Sequence, residues 1–333
     1  MMQRSSVMRT RRRVPLVLAL VALACVLVAD FGAAASACPA PPAAIRDLDM
    51  ARPYSDAVGS VASDEVKARH AAEAQPLKEF LTHVTRDADH PEAAACALQW
   101  LAAWAEGGAL LGAMRSKQAE YERKWNLAGF ALAYLEVRRA ASPQQRAVVE
   151  PWLKSLAVAS LRFFDDASHK RNNHWYWLGL GRGATALATN DDALWSKAHA
   201  IYRDALADIA ADGTLPHELT RATRALHYHD FAVMPLVVLA ELAAARGEDW
   251  YGERGGALHR LVDVVLAGFA DPSSIERKSG VAQERPLKLG AGWPLLYVAR
   301  HGARLDPAAR AAASAARPTH RWLGGDVRGL LRR

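Results

Sequence analysis

Apolar residues recur at helical spacing along most of this chain, and this pattern limits the fold more than any other feature of the sequence. The stripes are Trp100 and Trp104; Trp125, Ala128, Leu132 and Leu135; Trp152, Leu156, Ala159 and Phe163; Ala198, Ile201, Ala205 and Ile209; and Leu258, Leu261, Val265 and Phe269. Intervals of three or four residues place such side chains on one face of an α-helix. No run of alternating strand residues competes with them, so the sequence predicts an all-α protein.

Short polar segments interrupt these stripes. Residues 141–143, 190–192, 211–213 and 246–248 combine Gly, Pro, Asn, Asp and Ser, which are the residues that end helices and form turns. Short connections between helices of similar length predict helical hairpins lying side by side. Closed into a ring, the hairpins would form an α/α toroid with a central cleft. An open solenoid is the alternative, although no clear sequence repeat supports it.

Residues 1–37 have the organisation of a signal peptide. Arginines precede an apolar run at 15–29, and the small residues at 35–37 offer a cleavage site. A retained membrane anchor is the alternative, but about fifteen apolar residues are few for a bilayer span. We expect cleavage, a periplasmic or secreted protein, and no membrane attachment afterwards.

The charge of the mature chain says little for nucleic-acid binding. The whole chain carries a formal charge of +7, and loss of the arginines and Asp30 of the leader lowers it by four. A mildly basic mature chain gives weak support for a nucleic-acid partner. A local basic groove for an acidic polymer stays open, because net charge does not report where charges lie.

The mature chain divides by pattern into an arm at 38–65 and a helical domain at 66–333. Within the arm, residues 50–64 contain Tyr54 between breakers and predict a flexible lid, with an ordinary surface loop as the alternative. Residues 271–290 are also polar and rich in Gly and Pro. A plain surface loop explains that second stretch at least as well as a mobile element does.

Cysteine usage agrees with export. Cys25 lies in the leader, which leaves Cys38 and Cys96 in the mature chain. In an oxidising compartment these two would form a disulfide that ties the arm to the first core helix. Two free thiols are the alternative.

A polar and aromatic run at 170–177 is the first candidate for chemistry. It reads Lys-Arg-Asn-Asn-His-Trp-Tyr-Trp. Adjacent amides and an imidazole are costly to bury without partners, so the run predicts the wall of a cleft. Asn172 or Asn173 would equally serve as an ordinary helix N-cap.

A second run at 217–230 collects cationic and aromatic side chains. On one helix Arg221, Arg224 and Tyr228 are spaced i, i+3 and i+7, so two guanidiniums and a phenol would share a face. A tyrosine beside cations loses its proton more easily than one in water, which makes Tyr228 a candidate base beside an anion site. The alternative is that Tyr228 packs in the core while both arginines pair with surface carboxylates.

The histidines of this second run give little support for a metal site. His227 and His229 are two positions apart, so they point to different sides of a helix. No second pair at i, i+4 completes a zinc ligand set. The sequence therefore predicts no metal and no other cofactor.

Both runs resemble signatures of the helical alginate lyases, the poly(β-D-mannuronate) lyase family. The family's NNHSYW is similar to residues 172–177 here, with Trp175 in place of the serine. The family's arginine and tyrosine, seven positions apart, match Arg221 and Tyr228. The segments at 100–106, 123–125 and 321–325 also resemble family segments, so the similarity covers most of the mature chain.

The resemblance implies an incomplete α/α toroid that cleaves mannuronate-rich alginate, or a related polyuronate such as polyglucuronate or hyaluronan, by metal-independent β-elimination. Asn173, His174 and Arg221 would neutralise the substrate carboxylate. Tyr228 would remove the C5 proton and return a proton to the glycosidic oxygen, leaving a 4,5-unsaturated uronate. For mannuronate or glucuronate, His174 would contribute to the base instead.

The resemblance also suggests which side chains grip neighbouring sugars. They are Tyr54, Trp177, Arg224, His227 and Arg321. Pro53 stands where the family has a basic lid residue, which leaves the substrate preference open.

Two rival functions use the same residues. A toroidal glycoside hydrolase would need two carboxylic groups flanking the scissile bond, and the two runs offer only Glu218 and Asp230 as nearby acids. A non-catalytic binding protein for an exported polysaccharide would use the same basic and aromatic cleft.

Overall fold

The computed structural model of the chain describes residues 38–56, 59–61, 63–86, 88, 90–169 and 171–332. The predicted signal peptide lies outside these residues. The described α-helices are α1 (Asp64–Val84), α2 (Pro91–Glu106), α3 (Lys117–Val137), α4 (Pro143–Arg162), α5 (Asn173–Thr189), α6 (Asp192–Asp208), α7 (Pro216–Leu219), α8 (Ala225–Ala244), α9 (Glu253–Ala270), α10 (Ser273–Ser279), α11 (Trp293–His301) and α12 (Pro307–Ser314). Two short strands, β1 (Thr319–His320) and β2 (Gly325–Asp326), pair antiparallel near the C-terminus.

Side-chain caps explain where several of these helices begin. Ser63, Ser116 and Asp191 accept hydrogen bonds from backbone N–H groups in the first turns of α1, α3 and α6. Ser142 and Gln145 form a capping box at the start of α4. Such caps satisfy N–H groups that have no partner within the helix. The polar segments predicted before α4 and α6 therefore start the next helix as well as end the previous one.

The helices pair into hairpins that curve around a common centre. Successive partners are α1 with α2, α3 with α4, α5 with α6, α8 with α9, and α11 with α12. One helix of each hairpin packs on its counterpart in the next, in the order α1, α3, α5, α8 and α11. The inner helices α3, α5 and α8 are buried on nearly all sides. This is the predicted all-α, incomplete α/α toroid.

The C-terminal segment lies across the opening of the ring. The turn Arg321–Leu323 contacts α1 and α3, while the turn Val327–Arg332 contacts α11. Helices continue beyond residue 270, where the sequence pattern stops being clear, and α10 lies inside the stretch expected to be a plain loop. The first helix begins at Asp64, two residues before the predicted boundary of the helical domain.

One stretch of the described chain, Ala222–Ala244, is long and apolar enough to cross a bilayer. In this fold 89% of its most apolar window is buried against other helices. Because such burial is ordinary for the central helix of a globular core, this stretch gives only weak evidence of a membrane span.

Cys38 and Cys96 form a disulfide whose Cα atoms are 5.3 Å apart, and it joins the arm to α2. The bond closes a loop between residues separated by 58 positions. On the chain-entropy model a loop of that size contributes about 4 kcal/mol to the free energy of unfolding.

We expect a reducing agent to lower the Tm of the protein, because it breaks the disulfide between Cys38 and Cys96. The double variant Cys38→Ser/Cys96→Ser should unfold at the lower temperature with or without reductant, and a Tm that the reductant leaves unchanged in the native protein would contradict this role.

Candidate active site

A cavity of about 860 Å³ opens where three inner helices begin. Its wall includes Lys117 at the start of α3, His174 at the start of α5, and His227 at the start of α8. The N-terminal end of a helix carries a partial positive charge and unpaired N–H groups. The convergence of three such ends gives the cavity a backbone contribution that favours anions.

Side-chain cations strengthen that preference. Arg52, Lys117, Lys288 and Arg317 line the cavity with exposed side chains, and Arg221 lines it with a half-buried one. Basic side chains that lie around a concave surface attract an acidic polymer more strongly than the same charges spread over a whole surface. The local basic groove that net charge left open is therefore present. Arg52 directly precedes Pro53, so a cation lies one position before the site where the family resemblance placed it.

Two buried acids also face the cavity. Burial raises the pKa of the Glu122 carboxyl, and burial raises the pKa of the Asp230 carboxyl to about 7. The indole N–H of Trp293 donates to Oδ1 of Asp230 over 2.8 Å. Both shifts favour the neutral acid, which reduces the repulsion that these groups would exert on an anionic ligand.

His174 is held flat against an aromatic wall. Its ring stacks on Tyr121 with centroids 3.8 Å apart and lies 5.7 Å from the ring of Trp125. Burial, reinforced by the charges of Lys124 and Arg221, lowers the pKa of His174 well below its usual value. The imidazole is therefore neutral at neutral pH and able to accept a proton.

Arg221 and Tyr228 meet in the cavity, but not along one helix face as predicted. Arg221 precedes a 3-10 turn at Ala222–Arg224, and Ala222 has a φ of +49°. The chain therefore turns sharply before α8 begins. The guanidinium still reaches the ring of Tyr228, with Cζ 4.3 Å from the ring centroid. The single-helix prediction was wrong, whereas the predicted proximity of cation and phenol is present.

The pKa of Tyr228 is raised, although the sequence predicted that its neighbouring cations would lower it. Burial is the largest influence and raises the pKa of Tyr228, a hydrogen bond with Tyr54 raises it further, and Arg221 and Arg224 oppose both only in part. Desolvation disfavours the phenolate more than the two guanidiniums favour it. The resting side chain is therefore a protonated phenol, and the expectation of an easily ionised tyrosine is corrected.

Asn173 lies one layer behind the cavity wall. It is fully buried, and its backbone N–H and its Nδ2 both donate to Oε1 of Glu218, over 3.1 and 2.8 Å. Its neighbour Asn172 lines the cavity and caps α5 by accepting from the backbone N–H of His174. The amide that the sequence placed on the substrate carboxylate is therefore not part of the lining, because the first turn of α5 rotates Asn173 inward.

The arm passes over Arg221 and Tyr228. Tyr54 lines the cavity, and Gly59 lies so close that a Cβ there would be 2.8 Å from Nη1 of Arg221. Arg224 donates from Nη1 to the Tyr54 hydroxyl, and its Nε lies 3.2 Å from a carboxylate oxygen of Glu284. Arg224 thus supports Tyr54 from outside the main cavity, and its assignment as a direct sugar contact stays a prediction.

Two other predicted sugar contacts are not part of the lining. Trp177 is fully buried, and its indole N–H donates to the carbonyl oxygen of Phe231. The guanidinium of Arg321 lies 4.4 Å from the ring of Trp322 and is not part of the lining. Trp177 is thus too deeply buried in this structure to touch a ligand in the cavity, and the role of the half-buried Arg321 stays a prediction. Of the predicted contacts, Tyr54 and His227 line the cavity.

The aromatic floor itself was not predicted as functional. Trp125, Phe231 and Trp322 line the cavity, with Trp125 stacked on Trp322 at a centroid distance of 4.7 Å. Aromatic faces provide flat apolar surfaces for the carbon faces of ligands. The sequence pattern indicated Trp125 only as a core residue. The family resemblance indicated Arg321 as a sugar contact, whereas the neighbouring Trp322 is the residue that lines the cavity.

The two histidines of the second run point apart, as their spacing predicted. His229 is buried, accepting from the backbone N–H of Leu215 and lying within hydrogen-bonding distance of the carbonyl oxygen of Ala225. His227 faces the cavity. Across the described part of the chain, no group of three or more His, Cys, Asp or Glu side chains is placed to hold a metal ion.

Comparisons with known proteins fit this geometry. The alginate lyase family model matches residues 47–275. A polysaccharide lyase of Stenotrophomonas maltophilia strain K279a is 44% identical over 302 residues, covering 88% of this chain and 90% of that protein. An alginate lyase of Cobetia marina is 37% identical over 201 residues, covering 58% of this chain and 54% of that protein. The crystal structure of alginate lyase A1-III from Sphingomonas species A1 is similar with a TM-score of 0.73 and 26% identity, covering 88% and 85% of the two chains.

Proposed function

This chain belongs to the alginate lyase family and is a polysaccharide lyase, and from that premise we propose that it cleaves mannuronate-rich alginate by metal-independent β-elimination. Related polyuronates such as polyglucuronate and hyaluronan fall within the same proposal. The observation that carries it is the convergence of a neutral imidazole, a guanidinium and a protonated phenol in one basic cavity. The product would carry a 4,5-unsaturated uronate at its new non-reducing end.

The first requirement of this reaction is a lower charge on the uronate carboxylate. Arg221 and the N-terminal ends of α5 and α8 face the cavity where that carboxylate would bind. Positive groups fixed in advance stabilise the enolate-like charge that develops when the C5 proton leaves. Asn173 contributes from behind the wall, because its backbone N–H and its Nδ2 bind the carboxylate of Glu218, which lies beside Arg221.

The second requirement is a base and an acid. A neutral His174 accepts a proton, and a protonated Tyr228 donates one. We therefore assign removal of the C5 proton in mannuronate to His174 and protonation of the departing glycosidic oxygen to Tyr228. This division differs from the use of Tyr228 for both steps, because burial holds the phenol in its protonated form.

Two structures of one relative contain an oligosaccharide, and both carry a substitution of a histidine or a tyrosine. A tyrosine-to-phenylalanine variant of alginate lyase A1-III, complexed with tetrasaccharide, resembles this chain with a TM-score of 0.75 and 25% identity. A histidine-to-alanine variant of the same enzyme has also been solved with tetrasaccharide. A cavity of about 860 Å³ in this chain is large enough for part of such a ligand.

A panel of polyuronates tests the proposal. The protein would be mixed with polymannuronate, polyguluronate, polyglucuronate and hyaluronan, each with and without a chelator. We expect ultraviolet absorbance from new C4–C5 double bonds, strongest with polymannuronate and unchanged by the chelator. Polymer binding without turnover on any of the four would contradict the proposal and favour the non-catalytic alternative.

The raised pKa of Asp230 predicts a pH dependence of substrate binding. The carboxyl is neutral below its pKa of about 7 and becomes negative as the pH rises through that value. Because a new negative charge in the cavity repels a polyanion, KM should rise above pH 7. Asp230→Asn keeps an oxygen that can accept from Trp293. Profiles of KM against pH for both proteins check this, and an equal rise in both would show that another group is responsible.

We also propose that the protein is exported to the periplasm or secreted, and that residues 1–37 are removed. The apolar run behind several arginines and the disulfide between Cys38 and Cys96 support this. Sequencing the N-terminus of protein recovered from the periplasm or medium should give a residue near Cys38. An intact N-terminus on membrane-bound protein would overturn the proposal.

A further inference from the structure

Glu218 is a fully buried carboxylate that contacts two of the residues on which the proposed reaction depends. Its Oε1 accepts both the backbone N–H and the Nδ2 of Asn173, and its Oε2 lies 3.4 Å from Nε of Arg221. The backbone carbonyl of Glu218 also accepts from the backbone N–H of Arg221. We propose that Glu218 is a positioning residue: Asn173 fixes its carboxylate at the start of α5, and the carboxylate in turn holds the Arg221 guanidinium.

Burying the charged carboxylate of Glu218 costs free energy, so we expect this side chain to have a specific role. A carboxylate taken out of water loses several kcal/mol of solvation unless hydrogen bonds and cations compensate. Burial raises the pKa of Glu218, while Arg221 and Asn173 act in the opposite direction. A negative charge beneath an anion-binding cavity also weakens the potential of that cavity. These costs are explained if the carboxylate fixes the angle of Arg221.

The position of Glu218 in the fold fits this role. It lies in the short helix α7, next to the sharp turn at Ala222 that separates Arg221 from α8. Asn173 belongs to α5, so one carboxylate joins two elements whose relevant residues are 45 positions apart. Because Arg221 lies outside regular helix, the orientation of its guanidinium depends on side-chain contacts, and the one with Glu218 is buried. Glu218 is not part of the cavity lining, so it acts on substrate only through its neighbours.

Glu218→Gln separates the two halves of this contact. The glutamine oxygen still accepts both donors of Asn173, whereas its NH₂ group faces Nε of Arg221, where donor meets donor. We expect kcat/KM on polymannuronate to fall about 100-fold, mainly in kcat, because a misplaced guanidinium stabilises the transition state less well. In an Arg221→Gln background, Glu218→Gln should lower kcat/KM by less than about threefold, because the guanidinium that Glu218 holds is already absent.

The matched control is Glu241→Gln. Glu241 is also a buried glutamate, paired with Arg300 and accepting from the Tyr251 hydroxyl, but it lies outside the cavity lining. The variant Glu241→Gln should have a kcat/KM within about twofold of that of the unmodified protein. Its Tm should fall as much as that of Glu218→Gln. An equal loss of activity from Glu218→Gln in both backgrounds would overturn the proposal, as would no loss at all.

This inference rests on the proposed function, so two further readouts do not require turnover. Binding of tetramannuronate, measured by calorimetry in a Tyr228→Phe background, should weaken about tenfold when Glu218→Gln is added. In the unmodified protein, the Nε–H signal of Arg221, assigned by its loss in Arg221→Gln, should exchange slowly with water. Fast exchange or unchanged affinity would reject the role of Glu218. Absence of double-bond formation by the unmodified protein would instead reject the lyase proposal, and the two failures are thus distinguishable.

Discussion

Tyr228→Phe should lower kcat on polymannuronate by about 10²–10⁴-fold, the usual range for loss of a positioned acid. The phenol lines the cavity, its ring lies 4.3 Å from the Arg221 guanidinium, and burial keeps its proton in place. Without the hydroxyl, the departing glycosidic oxygen has no positioned donor. Initial rates of double-bond formation across a range of substrate concentrations would give kcat and KM separately. KM should change far less than kcat, since the ring and its contacts remain.

The control for this substitution is Tyr202→Phe. Tyr202 is fully buried, and its hydroxyl donates to the carbonyl oxygen of Trp250, outside the cavity lining. Tyr202→Phe also removes a buried phenolic hydroxyl, so its change in Tm measures the loss of stability that such a removal causes outside the cavity. We expect full activity in Tyr202→Phe. A Tyr228→Phe protein that kept more than about a tenth of the original kcat would remove this residue from the proton-transfer step.

His174→Gln should produce a loss of similar size, about 10²–10⁴-fold in kcat, because the base that takes the C5 proton is lost. Burial, with Lys124 and Arg221 contributing, holds the pKa of His174 well below its usual value. The imidazole is thus in the form that accepts a proton at neutral pH. The acid limb of the kcat profile that comes from His174 should therefore lie below pH 6.5. Kinetics on C5-deuterated polymannuronate would show whether proton removal has become slower in the variant.

The control histidine is His199. It is half-buried, its Nε2 approaches Oε1 of Glu253, and it is not part of the cavity lining. His199→Gln should keep the original kcat and the original pH profile. If His174→Gln behaved in the same way, the imidazole would be a structural part of the cavity wall and Tyr228 would have to serve both steps.

The sequence was sufficient to predict the class of fold and the segments that form the site. Period-3.6 stripes and capped breaks define helices locally, because the residues that set each helix lie within a few positions of one another. The short connections predict the helical hairpins, whereas the closure of the hairpins into a toroid was predicted from the family resemblance. The first turn of α5 and the start of α8 both reach the cavity, and they are the two segments that the motifs selected.

The individual residues were harder to predict than the segments. Asn172 lines the cavity in place of Asn173, and Trp322 in place of Arg321. In both cases the lining residue is the direct neighbour of the predicted one, because the rotation of a first helical turn or a 3-10 turn is decided by tertiary packing. The turn at Ala222 has the same cause: its positive φ is uncommon for alanine and has no signal in the sequence.

The state of the titrating groups was also beyond sequence reasoning. Spacing showed that cations would lie near Tyr228, and they do. Whether neighbouring charge or desolvation dominates depends on the packing of Tyr54 and the arm, which are about 170 positions away along the chain. Burial of Tyr228 outweighs the two cations, and this balance supports the proposal that acid and base are two different side chains.

Mass spectrometry of the oligosaccharides released from polymannuronate tests the central claim most directly. If the cavity carries out β-elimination, every new non-reducing end is unsaturated, and each fragment that carries such an end is lighter by one water than the saturated fragment of the same length. Those ends should absorb in the ultraviolet in proportion to the bonds cleaved, and Tyr228→Phe should yield almost none. Saturated fragments carrying the added water, at rates that Tyr228→Phe leaves unchanged, would contradict the account.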